Sequence, residues 1–171
     1  GVVAVIVALG VVLSVLGMLG GGEQTPPAAA APSAAVAADA SLPSVCGLTD
    51  VVLSGTVEQA PAAQWATVGT IAAPTVDGQG PGVIEDDGFR SCFAHTPTGA
   101  VVAAANLAAM GSYAPVRARF NVEAIAPGPG RDALLAETPS QGASSGVRAQ
   151  FAGYRLLRYT GQQADVDLAL V

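Results

Sequence analysis

C-F-A-H-T-P-T-G-A-V-V-A-A-A-N-L-A-A-M, residues Cys92 to Met110, is the stretch on which the fold turns. It opens as the end of a strand, Phe89 to Ala94, and meets a corner at Thr96-Pro97. A threonine there caps the first amides of a helix, and a proline suits the first helical position because its missing N–H has no intrahelical partner. The helix predicted from that corner runs to Gly111, a residue that tolerates the positive φ of a helix stop. Alanine dominates it, with Val101, Val102, Leu107 and Met110 its only large apolar side chains. A helix that is uncharged and apolar nearly all round belongs beneath other elements.

The corner residues His95, Thr96 and Pro97 are therefore read as structural. His95 is the chain's only histidine. As a catalytic base it needs a nucleophile and an orienting acid within reach. Ser91, Thr96 and Thr98 are near in sequence, but neither a nucleophile elbow nor a paired-acid pattern accompanies them. The imidazole is expected to hydrogen-bond the turn, and no catalytic residue is assigned.

Cys46 and Cys92 are the only cysteines. Beyond a membrane they meet oxidising conditions, and a bridge would tie the start of the folded region to the strand before the corner. In the chain-entropy account such a bond adds on the order of 4 kcal/mol. The alternative is a pair of buried thiols. One histidine and no C-x-x-C give no metal site.

Upstream, Val2 to Leu19 is an eighteen-residue run without a charge, the length at which a membrane helix is the first reading. A cleaved signal peptide is the rival, since the alanines that follow offer A-x-A sites. No cysteine follows the run, so it does not read as a lipoprotein signal. Gly17 and Gly21 form a G-x-x-x-G that lets two such helices approach, which makes a homo-oligomer one consequence. Gly20 to Val45 is Gly, Ala, Pro and Ser with only Glu23 and Asp39 charged. It has too little apolar bulk to fold and reads as a semi-flexible tether, reaching roughly 80 Å when fully stretched. The domain plan is thus an anchor over 1–19, a tether over 20–45 and an extracytoplasmic domain over 46–171. The alternation of Asp165 to Val171 runs to the last residue, which leads to the expectation of further sheet beyond it.

Within that domain, Val51 to Val57 is β-rich and predicts a first strand, and Trp65 is expected to anchor its segment on the core. Pro74 to Gly88 carries the punctuation of a loop. Its Glu85-Asp86-Asp87 lacks the spacing of a calcium loop and reads as a solvated acidic turn. Pro115 to Ala126 reads as a second helix, although its Val- and Phe-rich text also suits a strand. Pro127 to Gly130 breaks the chain, Arg131 to Glu137 makes a short helix, and Thr138 to Gly146 is a loop. Val147–Tyr159 and Ala164–Val171 read as an antiparallel hairpin across Thr160–Gln163. Phe151, Ala164, Val166, Leu168 and Leu170 are expected inward, Asp165 and Asp167 outward, and Arg158 opposite Asp165. A change of phase near Gly153 marks a bulge. The fold class is α+β, with helices packed on a curved antiparallel sheet.

The net charge of −6 and a pI near 4.4 argue against direct nucleic-acid binding. Glycine-rich text at Gly78–Gly82 and Gly128–Gly130 matches neither a phosphate loop nor a dinucleotide fingerprint, so no cofactor is assigned.

V-C-G-L at Val45–Leu48, W-A-T-V-G at Trp65–Gly69, Gly80-Pro81, C-F-A-H-T-P-T-G-A at Cys92–Ala100 and G-R-D-A-L-L-A at Gly130–Ala136 together resemble an uncharacterised actinobacterial family. Its members are single-pass membrane proteins often carried in integrative conjugative elements. The order of membrane helix, tether and α+β domain is also similar to assembly factors of type IV secretion and conjugation machines. Those have a cystatin-like, or nuclear-transport-factor-two-like, fold, although here a strand precedes the first helix. These resemblances imply a cell-membrane location, other secretion or conjugation subunits as partners, and a scaffold that is not an enzyme. A small-molecule-binding module and a His95-centred hydrolase are the other classes weighed. A filled core under a flat apolar surface favours the scaffold, a deep polar pocket the binder, and a nucleophile beside His95 the hydrolase.

Overall fold

The computed structural model describes residues 42–44, 46–136 and 148–171. The run 1–19, the tether up to residue 41, and the loop 138–146 lie outside the described residues. Among those described, no helix is long and apolar enough to cross a membrane. The elements in chain order are β1 (Gln64–Val68), β2 (Ile71–Thr75), β3 (Val83–Ile84), β4 (Arg90–Ser91), α1 (Pro97–Ser112), α2 (Ala114–Glu123), α3 (Pro129–Ala136), β5 (Phe151–Tyr159) and β6 (Ala164–Leu170). The class is α+β. In place of one curved sheet there are three antiparallel pairs, β1–β2, β3–β4 and β5–β6. The reason is that β3 and β4 are only two residues long, and α1 supplies the surface on which the hairpins pack.

Helix α1 forms where its sequence directs. Thr96 caps it from extended backbone, Pro97 takes the first turn, and none of Pro97–Gly111 is exposed. Its most buried residues, Val101, Val102, Ala105, Asn106, Ala109 and Met110, recur at three- and four-residue steps, the spacing of one helical face. Against that face lie β2, β4, the β5–β6 hairpin and α2. Alanine permits this close approach: Ala73 of β2 and Ala109 of α1 are both fully buried. Val68, Ile71, Phe89, Met110 and Val116 complete the central cluster, and Phe151 packs at its edge. Burial of a side chain the size of Met110 contributes about 1.5–3 kcal/mol.

Gly111 does not stop the helix. It keeps negative φ inside α1, and an added Cβ there would touch the Phe120 ring at 3.4 Å. The break falls at Tyr113, which is extended. Pro115 enforces it, because in a continuous helix its ring would meet the carbonyl four residues back. The segment after the break is the helix α2 and not a strand.

Three further expectations are corrected. Val51–Val57 is not a strand: Val51 makes one bridge to His95, and residues 52–56 are exposed, with Gly55 at φ +129. Trp65 does not anchor the core but is 54% exposed. It lies on β1, the outer strand of its hairpin, while β2 carries the buried face and also bonds Ala149 on its other side. The region Pro74–Gly88 is not all loop, since β2 extends to Thr75 and β3 pairs with β4.

The last hairpin forms across Thr160–Gln163 with Arg158 opposite Asp165, their side chains 2.9 Å apart. Register shifts occur at Phe151/Gly153 and Leu156/Arg158. Val166 and Leu168 are half-buried, but Ala164 and Leu170 are exposed and Asp165 is partly covered. The two bulges change the phase of the ladder, so strict alternation does not decide which side chains face α1.

Candidate functional site

Two backbone features make the corner before α1. Cys92 ends β4 with φ +74, a left-handed conformation unusual for a residue with a Cβ. Gly82 donates its N–H to the Cys92 carbonyl at 2.7 Å, and a Cβ on Gly82 would come within 2.8 Å of the Cys92 sulfur. Only glycine leaves that space. Into it comes Cys46, bonded to Cys92 as a disulfide with Cα atoms 5.9 Å apart. The Ser44 hydroxyl lies 2.8 Å from the Cys46 sulfur and 3.5 Å from that of Cys92. The bridge fastens the N-terminal segment to the corner. A backbone bond from Val52 N–H to the His95 carbonyl, 2.8 Å, repeats the attachment six residues later.

A hydrogen-bonded relay then runs outward from the helix. The Gly99 amide donates to Thr96 Oγ1 at 2.9 Å, the Thr96 hydroxyl donates to Gln79 Oε1, and Gln79 Nε2 donates to Asp50 Oδ2 at 3.2 Å. The carboxylate is thereby coupled to the positive end of α1. Gly99 is needed as well, because a Cβ would strike the Ala94 carbonyl oxygen. A cleft of about 410 Å³ opens here between Asp50–Thr56 and the Thr96–Thr98 turn. Of its polar side chains, Asp50, Gln79 and Thr96 are bonded to each other, while Ser54, Thr56 and Thr98 make no hydrogen bond among the described residues.

His95 lies on the other side of the corner, lining a groove of about 340 Å³ between α1 and the β5–β6 turn. Its Nδ1 is buried without a hydrogen-bond partner. The imidazole therefore does not bond the turn, and the His95 carbonyl accepts from Val52 N–H instead. No hydroxyl donates to the ring among the described residues. Tyr159, across the groove, has its phenol pushed above the usual tyrosine range by burial.

Sequence reasoning missed the polar pair inside the core. Arg90 is 5% exposed and donates from Nη1 to Asn106 Oδ1 at 3.1 Å, while its Nε has no partner. Burial pulls the guanidinium below its ordinary value. Asn106, fully buried, donates in turn to the Pro74 and Val102 carbonyls at 2.9 and 2.8 Å. It stitches β2, α1 and Arg90 together. The signal was present: Asn106 is the one polar side chain between Gly99 and Met110 of an apolar helix, and a polar group so placed needs partners.

The acidic turn engages an arginine. Arg119 of α2 holds Glu85 through two bonds of 2.7 and 2.9 Å, approaches Asp87 at 3.8 Å, and lies over the Phe89 ring at 3.9 Å. The bidentate bond holds the Glu85 carboxyl below the usual range. These contacts join α2 to the β3–β4 turn.

With this geometry in place, comparison with known proteins is informative at the family level. A family model described as a domain of unknown function, DUF8175, matches residues 25–171. The chain belongs to that family. No curated protein and no solved structure matches it. The DUF8175 match includes the disulfide, the capped corner, α1 and the last hairpin.

Proposed function

We propose that this DUF8175 chain is a membrane-anchored, extracytoplasmic scaffold that helps assemble a conjugative DNA-transfer or type IV-like secretion apparatus. The observation that carries the reading is the Cys46–Cys92 disulfide, set at the start of a domain that follows the uncharged run Val2–Leu19. Disulfides of this structural kind belong to oxidising compartments, and the run has the length of a spanning helix. The 20–45 segment then acts as the tether that holds the domain away from the bilayer.

Support for assembly, as distinct from catalysis, comes from how apolar residues are distributed. The core is filled by small side chains around α1, while Trp65, Ile84, Leu135 and Leu157 are each about half exposed or more. A docking surface requires such side chains to form a contiguous patch, since singly scattered ones are ordinary. The conjugative setting rests on the resemblance carried by Cys92–Ala100 and its companion motifs.

Deletion of the gene from a conjugative element that encodes it tests the reading. Transfer between cells should fall to the level of a non-mating control and return with the full chain supplied in trans. Undiminished transfer in the deletion strain rejects the assembly role.

A further inference from the structure

The two surface openings flanking the corner differ in what their side chains have left to offer. Beside Asp50, the relay uses the carboxylate and the carboxamide of Gln79 internally and leaves only the hydroxyls of Ser54, Thr56 and Thr98. In the His95 groove every polar side chain but Thr96 is uncommitted among the described residues. Among the described residues, the side chains of His95, Tyr159, Gln162 and Gln163 make no hydrogen bond to protein, and the buried Nδ1 of His95 lacks any partner. That nitrogen is closed to solvent, so it is the other edge of the ring that the groove presents to an occupant.

The rest of the groove narrows the chemistry of that occupant. Its helical wall is Gly99, Ala100 and Ala103, a smooth surface without projecting side chains. Phe93 and Tyr159 add aromatic rings. No Asp, Glu or Arg lines it, so nothing there compensates a charged ligand. Two carboxamides, a phenol and an imidazole each both donate and accept. They match a neutral ligand with alternating donors and acceptors and an apolar ring face. The volume is at the small end for ligand sites, which span about 300–1,000 Å³. An extended peptide finds no strand edge to join here, because the wall is helix and the Thr160 amide of the turn already bonds the Gln163 carbonyl at 2.9 Å.

We propose that the His95 groove is a binding site for a neutral N-acetylated saccharide of one or two rings. Its acetamido group pairs with the carboxamides of Gln162 and Gln163, and its ring face lies against Phe93 or Tyr159. The site is independent of the assembly role, and either reading can fail while the other stands.

The full chain, labelled with ¹⁵N-histidine and held in detergent micelles, tests this by NMR titration with N,N′-diacetylchitobiose. His95 is the only histidine, so its ring nitrogens report without assignment. The proposal expects a saturable shift of both nitrogens. A Gln162→Ala/Gln163→Ala chain should raise the dissociation constant about tenfold, a loss of about 1.4 kcal/mol, with an unchanged melting temperature. Those glutamines are exposed turn residues, so the fold should survive their replacement. An absent or non-saturating shift overturns the proposal. So does equal affinity in the double variant, or a saturable shift produced only by a synthetic peptide of residues 20–45.

Discussion

Helices α1 and α3 reverse what their side chains suggest. Helix α3 carries two leucines, Leu134 and Leu135, yet has no buried residue, and those leucines are 39% and 48% exposed. Helix α1 is mainly alanine, yet nothing from Pro97 to Gly111 is exposed. The difference lies in neighbours and not in hydropathy. Small side chains let β2, β4, α2 and the last hairpin all approach α1, whereas among the described elements α3 packs chiefly on α2. Centrality in this domain follows from how many elements a helix can admit at close range.

The sharpest contrast comes from truncating one side chain on each helix. Met110→Ala, at a fully buried position, should lose about 2–5 kcal/mol in urea unfolding. Leu135→Ala should change stability by no more than about 0.5 kcal/mol. Equal losses would erase the distinction between the helices.

The corner that feeds α1 offers the next test. Replacing Cys46 and Cys92 together by alanine should lower stability by about 2–4 kcal/mol and depress the melting temperature. An unchanged melting temperature would mean that the N-terminal segment is held by Val52 and Asp50 alone.

Glycines give a contrast of opposite signs. Gly99→Ala drives a Cβ into the Ala94 carbonyl and should destabilise by about 1–3 kcal/mol. Gly130→Ala in α3 meets no atom within 4 Å and should stabilise by up to about 1 kcal/mol through helix propensity. Thermal unfolding of the two variants reads both signs.

Much of this inner architecture was legible in sequence, for specific reasons. Thr96-Pro97 is a cap followed by a first-turn proline, and uncharged alanine-rich text has few other uses than a covered helix. The hairpin was legible because strand-like text on both sides meets the four-residue turn Thr160–Gln163. What failed was any inference that needed to know which side of an element has a neighbour. Trp65 was expected inside because it is large, but on β1 only Val68, at the end of the strand, is buried. Gly111 was expected as a stop because of its φ freedom, but it keeps negative φ inside α1 and the break falls at Tyr113. The disulfide was legible from cysteine count and location. The orphaned nitrogen of His95 was not, since only the folded corner shows that the ring finds no partner there.

The smallest expected effect concerns pH. Glu85 is held below its ordinary value of 4.5 by Arg119, so its contribution is complete above that value and fades as pH falls through the lower native one. Glu85→Gln should remove that part of the acid dependence of unfolding. An identical pH profile in the variant would show that Arg119 is held at the turn by Phe89 and Asp87 alone.

The claim on which location, corner and scaffold all depend is the Cys46–Cys92 bond in the cell. Full-length protein collected from the membranes of its own host, with thiols blocked at lysis, should be digested without reduction and analysed by mass spectrometry. The account predicts one linked species joining the peptide of Cys46 to that of Cys92. Recovery of both cysteines as blocked free thiols would contradict it.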